Sequence, residues 1–316
     1  MKVAVLGAGS IGSIFTAYLA KAGMDVHVLA RKQHRDAIKN SGLKLERIFD
    51  ENSIHIDNIS VINLFSTLNS FDLLLVTVKA FDVAKILDEI SKSVSIDPEK
   101  QVIGLVQNGL GVEKVIRNAY PKLPLLRITT TNGALLKEPG TVQHTGLGDT
   151  HVGYWDEIRN ANTKLVLSEF EQAFINSSLP VTVDENMVAR VWKKLFINVA
   201  INAVGALFNV ENGIIPKIKK MKEISDTLVD EALAVAAKGG FLNEFDAHSA
   251  ALKVMNATSA NRNSMLQDLD KGRKTEIDFI NGAVSDHGKL LEVPTPWNDM
   301  ITAAIQAKES IQRIQS

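Results

Sequence analysis

The chain has 316 residues, 45% hydrophobic and 22% charged, and its 35 Lys plus Arg balance 36 Asp plus Glu to a formal net charge of -1. That length favours two domains over one small core, and the charge balance lacks the basic footprint of a nucleic-acid-binding protein. There is no cysteine, which excludes disulfides, thiolate metal sites and thiol nucleophiles.

From the N-terminus, Met1-Lys2 and the apolar residues up to Leu19 have the outline of a signal peptide, but three glycines interrupt the stretch. Residues 3–6 form an apolar run that ends at a glycine, the pattern of a buried strand. From Ile11 the spacing turns helical, with Ile11, Ile14, Phe15, Tyr18, Leu19 and Ala22 on one face and Gly23 as the stop. Residues 25–30 are then a second strand, so the segment reads as a βαβ unit. The continuous apolar runs 73–78 and 102–106, each followed by a helical pattern, read as buried parallel strands. Residues 43–64 read as short polar strands and 126–153 as irregular strands joined by glycine turns.

After about residue 182 helical periodicity takes over. Residues 186–209 read as one long helix, stopped by Glu211-Asn212-Gly213, and Pro294 and Pro296 set off a last helix over 297–312. The expected fold class is therefore α/β: a Rossmann-type doubly wound sheet over residues 1–182, followed by an all-helical domain over 183–316. No run is read as long and apolar enough to cross a membrane, and the missing targeting signals favour a cytoplasmic protein. A mostly helical second domain is compatible with a homodimer, although no heptad demands one.

Gly7-Ala8-Gly9-Ser10-Ile11-Gly12 is a G-x-G-x-x-G lying after a strand and before a helix, the context that gives this motif meaning. Its glycines allow the tight turn, the close approach of a pyrophosphate and the packing of helix on strand. The helix start supplies free N–H groups and partial positive charge. An acidic residue at the end of the second strand would take the ribose of NAD. Here Arg31 and Lys32 stand there instead. A guanidinium pairs with a 2′-phosphate where a carboxylate repels it, so NADP(H) is the expected cofactor. The alternative for Arg31 and Lys32 is a solvated surface pair.

Lys194, Asn198 and Asn202 are spaced i, i+4, i+8 on the long helix, amid apolar neighbours. Polar groups on a buried helix are costly unless bonded, and Gly205 and Ala206 leave room beside the stripe for a ligand or another backbone. The same stripe fits the solvent face of an amphipathic helix equally well. Lys79 and Asn108 follow strand ends, where open α/β sheets bind ligands, or are ordinary loop residues. Ser264 and the Lys274-Thr275-Glu276-Ile277-Asp278 segment read by default as surface. The seven histidines show no ligand spacing, so no metal site is expected, and no G-x-S-x-G elbow supports a serine hydrolase.

Together these residues resemble the ketopantoate reductase (2-dehydropantoate 2-reductase) family over nearly the whole chain. The resemblance rests on the N-terminal glycine motif, Val78-Lys79-Ala80, Gln107-Asn108-Gly109-Leu110-Gly111 and Thr129-Thr130-Thr131 with Gly140 to Gly148. It continues through the Trp192 to Asn202 helix, Asn212-Gly213, Ser264-Met265-Leu266-Gln267-Asp268, and Thr275 to Asp278 with Asn281-Gly282. It implies an oxidoreductase of pantothenate synthesis that reduces ketopantoate to pantoate. Gly7, Ala8, Gly9, Ser10, Ile11, Gly12 and Arg31 would hold NADPH, with Lys79, Asn108 and Ala134 on the nicotinamide side. Lys194 would donate the proton and Glu276 would sit near it and the cofactor ribose. Asn198, Asn202, Asn212 and Ser264 would hold the substrate, a small-molecule 2-oxo acid, which Asn108 would also touch. After Asn202 the family often has proline, whereas Ala203-Val204-Gly205 follows here. The competing expectations are a reductase of another 2-oxo or 3-oxo acid and a non-catalytic NADP(H)-sensing protein.

Overall fold

The structure is a computed structural model describing residues 1–49, 53–62, 70–175, 179–242 and 244–315. It divides into two compact units, Met1–Gln107 with Val112–Met187, and Asn108–Gly111 with Val188–Ser316. The division falls at Met187 rather than at 182, because the last strand of the sheet runs to Val183 and Asp184 N–H still donates to Val152 O. The turn Asn108–Gly111 groups with the helical unit through the Leu110 N–H, which donates to Phe279 O at 2.8 Å.

The first unit opens with the expected strand, helix and strand: β1 (Lys2–Leu6), α1 (Ser10–Lys21) and β2 (Asp25–Leu29). Every residue of α1 from Gly12 to Ala20 is buried, so its inward face is wider than the apolar spacing implied, while Ala22 lies past its end and is exposed. Next come α2 (Lys32–Ser41), the short strands β3 (Leu43–Arg47), β4 (Ser53–Ile56) and β5 (Ser60–Ile62), then β6 (Leu73–Val76) and α3 (Val83–Ser91). The unit continues with β7 (Val102–Leu105), α4 (Val112–Ala119), β8 (Leu125–Thr130), β9 (Gly133–Glu138), β10 (Thr141–Gly146) and β11 (Thr150–Tyr154). It closes with α5 (Thr163–Ile175) and β12 (Val181–Val183).

One sheet has the order β12-β11-β8-β7-β6-β1-β2-β5 and a second has β4-β3-β10-β9. From β5 to β8 all neighbours are parallel, and the chain winds outward from β1 in both directions. That reversal at β1 is the switch point at whose carboxyl end such sheets bind ligands. β6 and β7 are buried along their whole length, which explains their unbroken apolar sequence. Over one face, Phe15 of α1 packs against Phe170 and Phe174 of α5 with ring centroids 6.2 and 5.9 Å away. Arg127 on β8 and Glu113 in the first turn of α4 form a buried ion pair at 2.6 Å. Removing either partner would strand a buried charge, which typically costs about 3–5 kcal/mol.

Two buried histidines tie the small sheet to this framework. His144 on β10 sits between the Tyr18 hydroxyl (3.2 Å) and Asn132 Oδ1 (2.9 Å). Since Asn132 Oδ1 also accepts from Gly148 N–H, His144 Nε2 carries the proton and Tyr18 donates to Nδ1. Asn132 Nδ2 in turn donates to Thr130 Oγ1 and Thr150 Oγ1, which lie on the large sheet. His34 on α2 accepts the Gly140 N–H at Nδ1 (2.9 Å), so its Nε2–H faces Ser13 Oγ of α1 at 3.1 Å.

The second unit contains α6 (Met187–Phe208), α7 (Lys219–Lys238), α8 (Ala247–Ala257), α9 (Ser264–Asp270), α10 (Asn281–Leu291) and α11 (Pro296–Gln315). Contrary to the sequence expectation, α6 is long and apolar enough to cross a membrane, with a mean hydropathy of 1.3 over 18 residues. Its apolar character has another use, since 67% of that window is buried inside the protein. Trp192 stacks on Phe241 (5.1 Å) and meets His287 edge-on (5.6 Å). The Lys308 ammonium of α11 donates to Ala206 O and Leu207 O at the end of α6, satisfying terminal carbonyls, and burial lowers its pKa. The Glu231 carboxylate of α7 accepts the Trp297 and Asn298 N–H groups, capping the start of α11.

Burial holds the pKa of His34 below 6.5, so on acidification the unfolded chain binds this proton first. Stability from this site is therefore complete above pH 6.5 and is lost as pH falls through the lowered folded value. Urea midpoints at pH 7.5 and pH 5 are expected to fall more in the native chain than in His34→Gln. Equal falls would place the acid sensitivity elsewhere.

Candidate functional site

The carboxyl end of β1 leads directly into the glycine turn. Gly7 has φ +109, a left-handed conformation, and the Gly7 and Ala8 N–H groups both donate to Leu29 O at the end of β2. A side chain at Gly12 would place its Cβ 2.0 Å from Gly7 O and 2.5 Å from Thr77 Oγ1, so α1 starts against the strand only because residue 12 has none. Thr77 Oγ1 donates to Gly7 O at 2.7 Å, fixing that carbonyl from the β6 side. Gly9, the N-cap of α1, is exposed and has no capping side chain, and a methyl group added there would meet nothing within 4 Å. An uncapped helix start, with open space above its second glycine, fits the pyrophosphate of a dinucleotide.

Around this turn the structure gathers several of the expected cofactor residues. Arg31 is the N-cap residue of α2, and Lys32 begins that helix, where β2 ends beside the turn. Ser10 Oγ accepts the Leu136 N–H at 3.0 Å, which draws the edge strand β9 to the start of α1. Ala134, half-buried on β9, is two residues away and pairs with His144. Ile11 is half-buried on the first turn of α1. Lys79, half-buried, opens a 3-10 turn after β6. Sequence reasoning gives Gln107 no functional role, although it starts the Gln107 to Gly111 motif. Its buried amide donates to Val76 O and Val78 O, both at 2.9 Å, and so shapes the loop that carries Lys79. A long polar residue directly after a buried strand is the signal for such a cross-strand tie.

In the helical unit, Lys194 and Asn198 are half-buried on α6 and Asn202 is 5% exposed, so the stripe is not a solvent face. Among the described residues, Asn198 Nδ2 is buried and unpaired, and so is Asn212 Oδ1. A buried donor and a buried acceptor without partners mark where a polar ligand is expected. Asn212 is otherwise fixed: its N–H donates to Asn261 O and its Nδ2 to Thr258 Oγ1. Ser264 is exposed on the first turn of α9. Two expectations are corrected. Glu276 is 6% exposed rather than a surface charge, because the 3-10 turn Ile277–Phe279 folds its segment inward. The space beside Gly205 is filled by a side chain, since a Cβ there would lie 2.4 Å from Asn263 Nδ2.

Asn108 is half-buried and leads into a turn that is pinned to the Glu276 segment. Gly109 has φ +80, and a Cβ on it would lie 1.8 Å from Phe279 O. Among the described residues no group of three His, Asp or Glu side chains is arranged to hold a metal. An apolar hollow of about 280 Å³, lined by Ile96, Pro98, Tyr120 and Leu123 among others, adjoins the starts of β7 and β8. It lies at the opposite strand ends from the glycine turn and contains none of the expected site residues.

Comparison with known proteins identifies the family and the fold. The family model described as "Ketopantoate reductase PanE/ApbA" matches residues 3–157, and "Ketopantoate reductase PanE/ApbA C terminal" matches 186–309. A 2-dehydropantoate 2-reductase of Pyrococcus horikoshii is 33% identical over 311 residues, covering 98% of each chain. One from Archaeoglobus fulgidus is 32% identical over 316 residues, also covering 98% of each. Among solved structures, a PanE/ApbA family ketopantoate reductase from Ralstonia eutropha superposes with a TM-score of 0.87 at 25% identity, over 99% of this chain and 100% of that one. A D-mandelate dehydrogenase in ternary complex with NADH and anilino(oxo)acetate does so with a TM-score of 0.86 at 26% identity, with the same coverage.

The two turn glycines separate fold from binding. Gly9→Ala is expected to stay within about 1 kcal/mol of native stability but to lose dinucleotide affinity, because its methyl takes the approach path. Gly12→Ala is expected to destabilise by about 1–3 kcal/mol through overpacking. Urea unfolding and nucleotide titration on both variants check this. Equal stability loss in the two would remove the steric distinction.

Proposed function

The chain belongs to the ketopantoate reductase family, a family of nicotinamide-dependent oxidoreductases that convert 2-dehydropantoate to pantoate, and from that premise we propose that it draws the hydride from NADPH and the proton from Lys194. The observation that supports this reading best is the polar stripe on α6: a half-buried ammonium, a half-buried amide and a buried amide, spaced one turn apart on a helix that is mostly core. When bound, the reduced nicotinamide supplies a hydride to the keto carbon, converting C=O to CH–OH with uptake of one proton.

Everything else in the reaction falls to the chain. The backbone N–H groups of Ser10, Ile11 and Gly12 at the start of α1 would take the pyrophosphate, and Arg31 with Lys32 would take the 2′-phosphate. Lys79, Asn108 and Ala134 would be the residues on the nicotinamide side. As charge develops on the carbonyl oxygen, the Lys194 Nζ stabilises it and transfers its proton to that oxygen. Asn198 Nδ2 and Asn212 Oδ1, the unpaired donor and acceptor, suit the hydroxyl and carboxylate groups of the substrate, together with Asn202 and Ser264. Glu276 orients the lysine and the cofactor ribose.

A second reading keeps this chemistry and changes the substrate. The similar D-mandelate dehydrogenase carries NADH and an aryl-substituted 2-oxo compound, which favours testing aryl 2-oxo acids beside 2-dehydropantoate. Absorbance at 340 nm is followed with both substrates and both cofactors. Preference for 2-dehydropantoate supports the first reading, and turnover only of an aryl 2-oxo acid supports the second.

Lys194→Ala is expected to lower kcat by about 10²–10⁴-fold while NADPH still binds. Near-native turnover would assign the proton to another group. Arg31→Ala is expected to raise the KM for NADPH by about 10–100-fold, the loss of one charge-assisted contact, and to leave the KM for NADH unchanged. A parallel rise for both cofactors would remove Arg31 from the 2′-phosphate.

A further inference from the structure

Asn263 belongs to none of the groups so far placed on substrate or cofactor, yet it stands at the junction of three segments that are. It is 7% exposed and is the N-cap of α9: its Oδ1 accepts the Leu266 N–H at 3.0 Å. The next residue is Ser264. Its other amide atom, Nδ2, points to α6 and donates to Ile201 O at 3.4 Å, one residue before Asn202. On α6 the same Nδ2 occupies the space left by Gly205, where a Cβ would lie 2.4 Å away.

The segment ahead of Asn263 is stapled just as firmly. Asn261 O accepts the Asn212 N–H, Ser259 O accepts the Gly213 N–H, and Thr258 Oγ1 accepts Asn212 Nδ2. Arg262 Nη2 donates to Asn209 Oδ1 at 2.8 Å, and its guanidinium forms a two-point pair with Asp270. The stretch from Thr258 to Ser264 therefore touches Asn212 at one end and the Asn202 turn of α6 at the other.

We propose that Asn263 is a positioning residue that sets the distance between Asn202 on α6 and Ser264 on α9, and so tunes recognition of the oxo-acid substrate. The proposal rests on the reading that these side chains bind that substrate. Physically, one amide serves two helices at once. Its oxygen fixes the start of α9, and its N–H group, wedged against a glycine, fixes how closely α9 approaches α6. Both atoms of the amide are engaged by backbone of α6 and α9, so its effect is expected on substrate geometry rather than on the hydride or the proton.

The test uses Asn263→Ser, Gly205→Ala and the double variant in the full-length protein, with kinetics and thermal unfolding measured together. Serine keeps a capping oxygen but is too short to reach Ile201 O or fill the space at Gly205. Asn263→Ser is expected to raise the KM for the oxo acid about tenfold, with kcat within about threefold, the NADPH KM unchanged and Tm close to native. Gly205→Ala drives a methyl into the amide and is expected to raise the same KM. In the double variant the methyl occupies the vacated space, so its KM is expected to fall below that of Gly205→Ala alone, a non-additive result that a generally weakened fold does not give. An unmoved KM in Asn263→Ser, a joint fall of kcat and Tm, or simple additivity overturns the role of Asn263. Native protein assayed alongside separates the two ideas: if it turns over neither 2-dehydropantoate nor an aryl 2-oxo acid, the substrate reading fails and the positioning role fails with it.

Discussion

The nucleotide-binding half depends on one missing side chain. With Gly12 bare, the first turn of α1 lies against Gly7 O, and any Cβ there would overlap that carbonyl. From this contact follow the short turn after β1 and the donation of the Gly7 and Ala8 N–H groups to Leu29 O. That donation brings the end of β2, with Arg31 and Lys32, beside the turn. The helix dipole and the uncapped N–H groups point to where a phosphate would sit only because helix and strand are this close. Thr77 reinforces the contact by donating to the same carbonyl.

The helical half solves the opposite problem, that of burying polar groups on an apolar helix. An unsatisfied buried amide typically costs about 1–3 kcal/mol, so most such groups in this unit are spoken for. Ser225 Oγ donates to Ala200 O, Asn298 Nδ2 to Leu228 O and Asn281 Nδ2 to Asn298 Oδ1. Five side-chain atoms in this unit, Asn198 Nδ2, Asn212 Oδ1, Asn281 Oδ1, Ser285 Oγ and Thr302 Oγ1, are buried without a partner among the described residues, and of these only the first two belong to residues expected to meet the substrate. Asn212 in particular donates through both its backbone N–H and its Nδ2 while its Oδ1 has no partner among the described residues. Structural need accounts for the first two bonds and not for the orphan.

The parts legible in the sequence were those governed by local rules. A glycine motif between strand and helix, unbroken apolar runs for β6 and β7, and the long helix α6 follow from periodicity and turn chemistry, although α6 stops at the left-handed Asn209 (φ +56) and not at Glu211-Asn212-Gly213. What escaped depended on contacts distant in sequence. Gln107 acts across to β6, His144 joins Tyr18 and Asn132, and the 108–111 turn groups with a domain whose main body begins about 80 residues later. Glu276 looked like a surface charge because its neighbours Lys274 and Asp278 are charged, and only the 3-10 turn after it makes it buried. The composition of α6 misled in a different way: hydropathy counts apolar residues but cannot tell a lipid face from a protein core.

Rigidity around the orphaned amides has a consequence for selectivity. A site that buries unpaired hydrogen-bonding atoms discriminates strongly against a ligand lacking the matching group, because the atom then stays unsatisfied in the complex as well. Such discrimination requires that the atoms cannot relax toward each other or toward backbone. Asn212 meets that condition through its bonds to Asn261 and Thr258, and Asn198 meets it through the helix that carries it, which the Asn263 amide and the Lys308 ammonium hold at Ile201 O, Ala206 O and Leu207 O. On the proposed reading, polar specificity in this unit therefore resides less in the number of side chains around a substrate than in the bonds that keep two of them waiting.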